Sequence, residues 1–353
     1  MIKLSVIIPV YNTPQHLLEY CLSRIQENLL SLKDTVEVLL INDGSTEPYI
    51  ESTLKKASEA DSRIKYVYKA NSGVSATRNM GLEMAQGEYI TCVDSDDYLM
   101  PDALKYMLGI LEKHSPEIAI LGCYNECMPK SPSETFQKEL SKSEIASHIK
   151  MMCSSDEEEY WDKGIFLDYP HAICYSTSFL RRHGISYNPR LVIGEDLVFN
   201  LSCMARAKNV YVDNTCVYHY VLNQDSVMRK PSPVYMNNLP SFLGAIEEVA
   251  HHPLLSKEEI AHAISRKCLR GLQIIRQIYL THPSNDKSFW ELKSELTALL
   301  SNPTIRKYVN NLRLKDAKDK VELKNIILLK LRLYWIFLIT ERRKRLKNAP
   351  HSN

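Results

Sequence analysis

What this sequence lacks narrows it before any motif is read. It has almost no charge imbalance: 44 Lys and Arg against 42 Asp and Glu leave a formal charge of +2 over 353 residues. Bulk electrostatics therefore do not point to a nucleic-acid partner. No C-x-x-C occurs, and the nine cysteines are odd in number and irregular in spacing. That argues for reduced, buried thiols in a cytosolic protein and against a disulfide framework. Cys123 and Cys127 have no second pair at metal-site spacing, so a zinc site is not expected. No apolar leader with a small-residue cleavage site opens the chain, because a strand begins almost at residue 2 in MIKLSVIIPVYN; the expectation is a protein that stays on the cytosolic side. No apolar run reaches the roughly 20 residues a transmembrane helix needs. Internal repeats and low-complexity segments are missing too. With 44% hydrophobic and 24% charged residues, disorder along most of the length and a polytopic membrane protein are both excluded. The length suggests about two domains.

What is present alternates. Leu4 to Val10 is a short run rich in β-branched residues, too short for a helix, and reads as a buried parallel strand. Residues 15–31 then carry apolar residues at helical spacing. Strands follow at Val36 to Ile41, Ile64 to Tyr68 and Glu88 to Val93, with helices at 48–60 and 74–85 between them. Strand–helix alternation over about a hundred residues predicts an α/β fold: a mostly parallel sheet flanked by helices. Ligands of such sheets bind beyond the carboxyl ends of the strands. Four polar clusters fall there: Tyr11-Asn12, Asp43-Gly44-Ser45, Asn71 to Gly73 and Asp94 to Asp97. Residues 129–160 read as a loop and a helix over one sheet edge, and Gly194-Glu195-Asp196 opens a further helix. Val210 to Val212 and Val217 to Val221 look like two short strands. From about 231 the pattern is helical, over 240–250, 257–281, 288–300 and 304–312. The boundary is placed near 230, giving domains 1–230 and 231–353.

The acids after the fourth strand carry the first chemical signal. Alternate carboxylates at a strand end can face one site, and oxygen ligands suit a hard divalent cation, Mg²⁺ or Mn²⁺. Two carboxylates bind such an ion weakly, and phosphates of a nucleotide are the usual complement. The competing reading is a solvated turn, or a cap for a helix at 101–112.

SVIIPVYN, VLLINDGSTE and NSGVSATRNMGLEMAQGEYITCVDSDD resemble, in order and spacing, the family 2 glycosyltransferases of GT-A fold, closely over residues 3–104 and loosely to about 230. The resemblance implies an inverting enzyme that takes a sugar from a nucleotide diphosphate, usually UDP. Pro9, Tyr11 and Asn12 match the loop near the base, and Tyr11 would stack on uracil. Asp43 matches the acid that reads the base; the family commonly has two acids here, and this chain has Asn42-Asp43. Asn71, Gly73 and Arg78 match the next nucleotide-binding segment, with Arg78 reaching base or phosphate. Asp94 and Ser95 fall at the ribose and Asp96 at the metal, while Asp97 is a third acid without a fixed role. Glu195-Asp196 matches the later acidic pair, whose second member is usually the catalytic base; acids at a helix N-terminus are also favoured by the dipole alone. His219 is a candidate third metal ligand, and Ser226 and Arg229 are candidate phosphate contacts.

The C-terminal stretch of about 324–347 completes the reading. IILLKLRLYWIFLI spans 326–339 and contains Lys330 and Arg332; TERRKRLK follows. An interfacial helix fits, with Tyr334, Trp335 and Phe337 at headgroup depth and the basic residues facing anionic lipid. The alternative is a helix docked on its own protein or a dimer seam. The combined expectation is a metal-dependent transferase (Mn²⁺ or Mg²⁺) at the inner face of the plasma membrane. It would move a sugar from a UDP-sugar donor to a saccharide or lipid-linked acceptor in cell-surface polysaccharide synthesis, and the helical region would support the acceptor side. A non-catalytic scaffold would not need Asp96 and Asp196 together. A sugar nucleotidyltransferase should carry a Gly-rich basic loop where this chain has PVYNTP.

Overall fold

The computed structural model describes residues 1–126, 134–154, 163–222, 232–282, 284–333, 335–336 and 338–339. The chain divides into two compact units, Met1–Met152 with Asp156–Asn223, and Cys153–Ser155 with Gln224–Asn353.

In the first unit the strands are β1 (Leu4–Val10), β2 (Val36–Asp43), β3 (Ile64–Lys69), β4 (Tyr89–Cys92), β5 (Tyr98–Leu99), β6 (Ile118–Asn125), β7 (Gln137–Glu139), β8 (Ile173–Ser176) and β9 (Val210–Tyr220). They form one sheet in the order β3-β2-β1-β4-β8-β6-β9-β5, with β7 also on β9. β1 to β4 pair in parallel. The short β8 runs antiparallel to both β4 and β6, so the sheet is mixed beyond β4. Helices α1 (Gln15–Leu30), α2 (Pro48–Ala60), α3 (Val74–Met84), α4 (Ala103–His114), α5 (Lys142–Ser154), α6 (Thr177–His183) and α7 (Glu195–Met204) complete the described elements up to Asn223.

The alternation of apolar runs and amphipathic stretches produced this arrangement by burial. Every residue of β1 and β2 is buried. Leu18, Leu22, Ile25 and Leu29 of α1 close over them in the same core as Val6, Ile8, Val38 and Leu40. At roughly 1.5–3 kcal/mol for each large aliphatic side chain removed from water, this face anchors the strand ends that carry the polar loops.

β9 corrects the expectation of two short strands. It is one strand of 11 residues, and its parallel pairing with β6 steps from Leu121↔Asp213 to Gly122↔Cys216. Asn214 and Thr215 form the bulge that looked like a gap in the pattern. Gly122 permits it, since a Cβ there would stand 2.3 Å from the Asn214 carbonyl oxygen.

The second unit is helical where described: α8 (Val234–Val249), α9 (Lys257–Ile275), α10 (Phe289–Ser301), α11 (Pro303–Asn311) and α12 (Lys320–Lys330). Capping boxes start α9 at Ser256–Glu259 and α10 at Ser288–Glu291, satisfying the otherwise unpaired first-turn amides. The helix expected over 257–281 changes to a π-turn at Arg276–Leu280. The tail also departs from expectation. α12 stops at Lys330, and Arg332 adopts a left-handed φ of 59°. The run 326–339 is therefore not one continuous helix, and Ile326, Leu328, Leu329 and Leu338 are buried. Tyr334, Phe337 and the basic residues 342–347 lie outside the described residues. Among the described residues no helix is long and apolar enough to cross a membrane.

Candidate active site

The carboxyl ends of β1 to β4 bring the polar loops together. Asn42 accepts a hydrogen bond from the Ser45 amide at 2.9 Å, so it makes the tight turn after β2. That leaves Asp43 to work at longer range. Its carboxylate accepts from the amides of Ser72 and Gly73, each at 2.9 Å, from Asn71 Nδ2 at 3.3 Å, and from Lys69 Nζ. Asp43 is 3% exposed. It thereby holds the 71–73 loop, and Gly73, with φ of 89°, turns that loop into α3; glycine adopts this backbone without steric cost.

The first loop is tied in the same way. Asn12 Oδ1 accepts from the Thr46 and Glu47 amides at 2.8 and 3.3 Å, linking the end of β1 to the start of α2. Tyr11 is 53% exposed and free to meet a planar ligand. Pro9 was expected among the nucleotide contacts, but it is buried within β1, paired with Ile41. It stands just past the Ile7↔Cys92 pair that ends the register with β4, where a missing N–H costs the sheet nothing.

Arg78 is the centre of the site. It is 3% exposed on α3. Its Nη1 donates to Asp196 Oδ1 at 2.6 Å and lies 3.5 Å from Glu195 Oε1, while Nη2 donates to Asp94 Oδ1 at 2.8 Å. One guanidinium thus joins the acid after β4 to the acidic pair opening α7, across more than a hundred residues of sequence. Both terminal nitrogens, expected to reach base or phosphate, serve carboxylates here. Tyr187 supports the hub. Its ring lies 5.4 Å from the guanidinium carbon and stacks on Phe199 of α7 at 4.0 Å. Asn79, next to Arg78, exchanges two hydrogen bonds with the Tyr187 main chain, at 2.9 and 2.7 Å.

Charge is not balanced there. Burial raises Asp196 well above the ordinary carboxylate value; Arg78 opposes the shift, and the nearby Glu195 and Asp94 reinforce it. Glu195 is raised for the same first reason. Arg78 is held firmly protonated: burial opposes its charge, but Asp196 and Asp94 outweigh that cost.

The acidic loop after β4 divides its labour. Asp97, 2% exposed, accepts from the Tyr218 hydroxyl and from the Val221 amide, both at 2.8 Å. Burial, then Asp94 and Asp96, push its proton affinity well up. Ser95 is bonded to Thr13 Oγ1 at 2.6 Å and is 6% exposed. These acids do not cap α4. Asn28 does so from α1, accepting from the Leu104 amide at 3.1 Å, which removes the capping explanation for the cluster.

His171 was not singled out from the sequence. It is 1% exposed, stacked on Tyr218 at 4.2 Å, and among the described residues neither ring nitrogen has a hydrogen-bond partner. Burial depresses it to about 4, so it is neutral at physiological pH; Asp94 opposes the shift. Ligating atoms of Asp94, Asp97 and His171 all lie within 4.8 Å of one another. Among the described residues this is the group that could hold a cation; Asp96 and His219, the expected metal ligands, are not part of it. Asp96 stays on the same loop, partly exposed. His219 is bonded to Glu126 at 2.8 Å and stacked on Tyr98 at 4.3 Å. Ser226 and Arg229 lie outside the described residues.

A mixed sheet with convergent acids beyond its parallel strands, and a tyrosine at the first strand end, defines a GT-A domain of the nucleotide-sugar transferase class. The family model "Glycosyl transferase family 2" matches residues 5–184, about half of the chain; the chain belongs to that family and is a glycosyltransferase. It is 25% identical over 315 residues to the uncharacterized glycosyltransferase EpsJ of Bacillus subtilis, covering 87% of this chain and 86% of that protein. It is 24% identical over 225 residues to the poly(ribitol-phosphate) beta-N-acetylglucosaminyltransferase TarS of Staphylococcus aureus, over 64% of this chain and 36% of that one. The crystal structure of TarS 1–349 with UDP-GlcNAc superposes with a TM-score of 0.67 at 17% identity, covering 97% and 92% of the two chains. The Pyrobaculum calidifontis mannosyltransferase PcManGT, solved with GDP-Man and Mn²⁺, gives 0.54 at 15% identity, covering 98% and 88%.

Proposed function

We propose that this glycosyltransferase inverts the anomeric centre of a UDP-linked hexosyl donor as it transfers the sugar to a hydroxyl of a saccharide or lipid-linked acceptor, in the synthesis of a cell-surface polysaccharide. The observation that carries the reading is the bridge from Asp94 through Arg78 to Asp196. It sets a donor-side acid and a proton acceptor in one site. UDP is favoured by the exposed Tyr11, by the loop that Asp43 holds, and by a structural neighbour solved with UDP-GlcNAc.

Asp196 is the base. An acceptor hydroxyl is a poor nucleophile at neutral pH, and a positioned carboxylate that takes its proton as the bond forms contributes typically 10²–10⁴-fold. Its raised proton affinity suits that task. Arg78 orients Asp196 and keeps it from repelling Asp94. Glu195 sits at 3.5 Å from the same guanidinium and adds to the local negative field.

The residues fit a divalent cation. Three carboxylates face one guanidinium, Asp97 is buried beside them, and His171 offers an unpartnered neutral nitrogen. Asp94, Asp97 and His171 would hold Mn²⁺ or Mg²⁺, with Asp96 at the rim. Such an ion supplies charge neutralisation for a leaving diphosphate.

Peripheral attachment to the inner face of the plasma membrane is part of the proposal. Ile327, Leu331 and Trp335 remain exposed on the described tail, and the sequence continues into the basic residues 342–347.

The test is turnover of a panel of UDP-sugars with Mn²⁺, comparing the wild type with Asp196→Asn. The expected result is a kcat lower by about 10²–10⁴-fold with UDP still bound. An unchanged rate removes Asp196 as the base.

A further inference from the structure

The helical unit holds a concentration of charge of the opposite sign. A recess of about 340 Å³ is lined by Lys293, Leu296 and Leu300 of α10, Arg306 of α11, and Arg332 and Trp335 beyond α12. Among the described residues no acidic side chain lines it. Among the described residues none of its three cations has an ion-pair partner, although Lys287, Arg266 and Lys307 of the same unit all do.

Two details make this more than a solvated basic surface. The Lys293 ammonium lies over two indole rings, 5.1 Å from the centre of Trp290 and 5.8 Å from that of Trp335, so it is positioned by cation–π attraction. Arg332 occupies the left-handed position that closes α12. The Arg332 and Leu333 amides donate back to Leu329 and Leu328 at 3.1 and 2.9 Å, the bonding of a helix stop in which glycine is the usual residue at this position. Here an arginine takes that backbone and is one of the residues lining the recess.

Three cations around one small hollow repel each other, and an anion relieves that repulsion. Arginine forks match phosphate oxygens in a bidentate way, and lysine adds a point charge. The volume is at the small end for ligand pockets, which suits a phosphate with a short substituent and not a whole nucleotide sugar. Ile327, Leu331, Trp290 and Trp335 are exposed apolar side chains of the same unit. We infer that this recess binds the phosphate group of a phosphomonoester, either the headgroup of an anionic lipid or a small phosphorylated solute. The lipid source rests on the attachment reading above; the phosphate chemistry does not.

The experiment uses the full chain, glycerol 1-phosphate by calorimetric titration, and sedimentation with phosphatidylcholine vesicles with or without phosphatidic acid. Arg332→Gly is the main variant, since glycine suits the backbone there and the fold should be kept; Lys293→Gln with Arg306→Gln is the second. UDP-sugar turnover in the same preparations reads the transferase proposal separately and should not change. Loss of one charge-assisted contact should weaken glycerol phosphate binding by about tenfold or more. Vesicle binding that needs phosphatidic acid, is displaced by glycerol phosphate and falls in Arg332→Gly assigns the lipid source. Glycerol phosphate binding without vesicle binding assigns the soluble one. No binding of either probe overturns the inference. Wild-type affinity in both variants does the same, as does vesicle binding indifferent to Arg332→Gly and to glycerol phosphate.

Discussion

β1 has a neighbour on each side, and the acids at the ends of those two neighbours live in opposite conditions. Asp43, ending β2, is met by two backbone amides, an asparagine and a lysine. Asp94, just after β4, shares a single guanidinium with Asp196 and Glu195, while Asp97 is buried close by. The first acid is satisfied by its own surroundings and organises a loop. The second group is left short of positive charge, which is the condition under which a site takes up a cation or a proton. A buried carboxylate with a full set of donors is therefore read as architecture, and an undersupplied cluster as chemistry.

The strongest way to break that contrast is to remove the shared cation. Arg78→Ala leaves three partly buried carboxylates uncompensated. Loss of one partner from a buried ion pair costs about 3–5 kcal/mol, so denaturant unfolding should show a loss of that order and turnover should vanish. Adding Asp196→Asn to Arg78→Ala should return part of the stability while activity stays absent. If Arg78→Ala unfolds at the wild-type midpoint, the hub is not electrostatic.

Asp43→Ala tests the satisfied side. It orphans the Ser72 and Gly73 amides and the Lys69 ammonium, for about 1–3 kcal/mol per unsatisfied buried group. The loop should loosen, raising the donor KM by about tenfold or more, while kcat at saturation falls far less, since no group near the proposed base is touched. A kcat loss comparable with that of Asp196→Asn would merge the two regions that the structure separates.

Much of this was legible in the residues. The parallel strands announced themselves as apolar runs ending in polar turns, so the positions of Tyr11, Asp43, Asn71 and Asp94 at one edge followed from alternation alone. The partners of Arg78 did not. They lie 16 and 118 residues away, and the spacing of a helix start says nothing about which distant acid it meets. His171 carried no motif, because it is held by ring stacking on Tyr218, which has no sequence period. β9 was misread as two strands because Asn214 and Thr215 leave the ladder and interrupt the alternation. The tail was misread as one helix because its break falls at Arg332, where glycine would have signalled a stop.

The smallest expected effect is on pH dependence, and it follows from opposite shifts in one site. His171 is depressed to about 4 from 6.5 by burial. Its contribution to stability is present above pH 6.5 and is lost as pH falls towards the folded value. Asp97 is raised from 3.8, by burial and then by Asp94 and Asp96. Its contribution is full below 3.8 and is lost as pH rises through the higher folded value. Without a divalent cation the shifts therefore oppose each other as pH rises from about 4 to 6.5: His171 favours the higher pH, while Asp97 and Asp196 favour the lower. On the proposed metal site, Mn²⁺ would compete with protons for Asp94, Asp97 and His171. It should thus raise Tm by a few degrees at about pH 8, for a gain of about 1–2 kcal/mol, and by much less at about pH 5, where protons already supply the missing positive charge. His171→Phe should make stability fall more steeply as pH rises from about 4 to 6.5 and, in the same variant, reduce the Mn²⁺ gain. An equal Mn²⁺ effect at both pH values, or a gain untouched by His171→Phe, would place the cation elsewhere and return the undersupplied acids to a purely structural account.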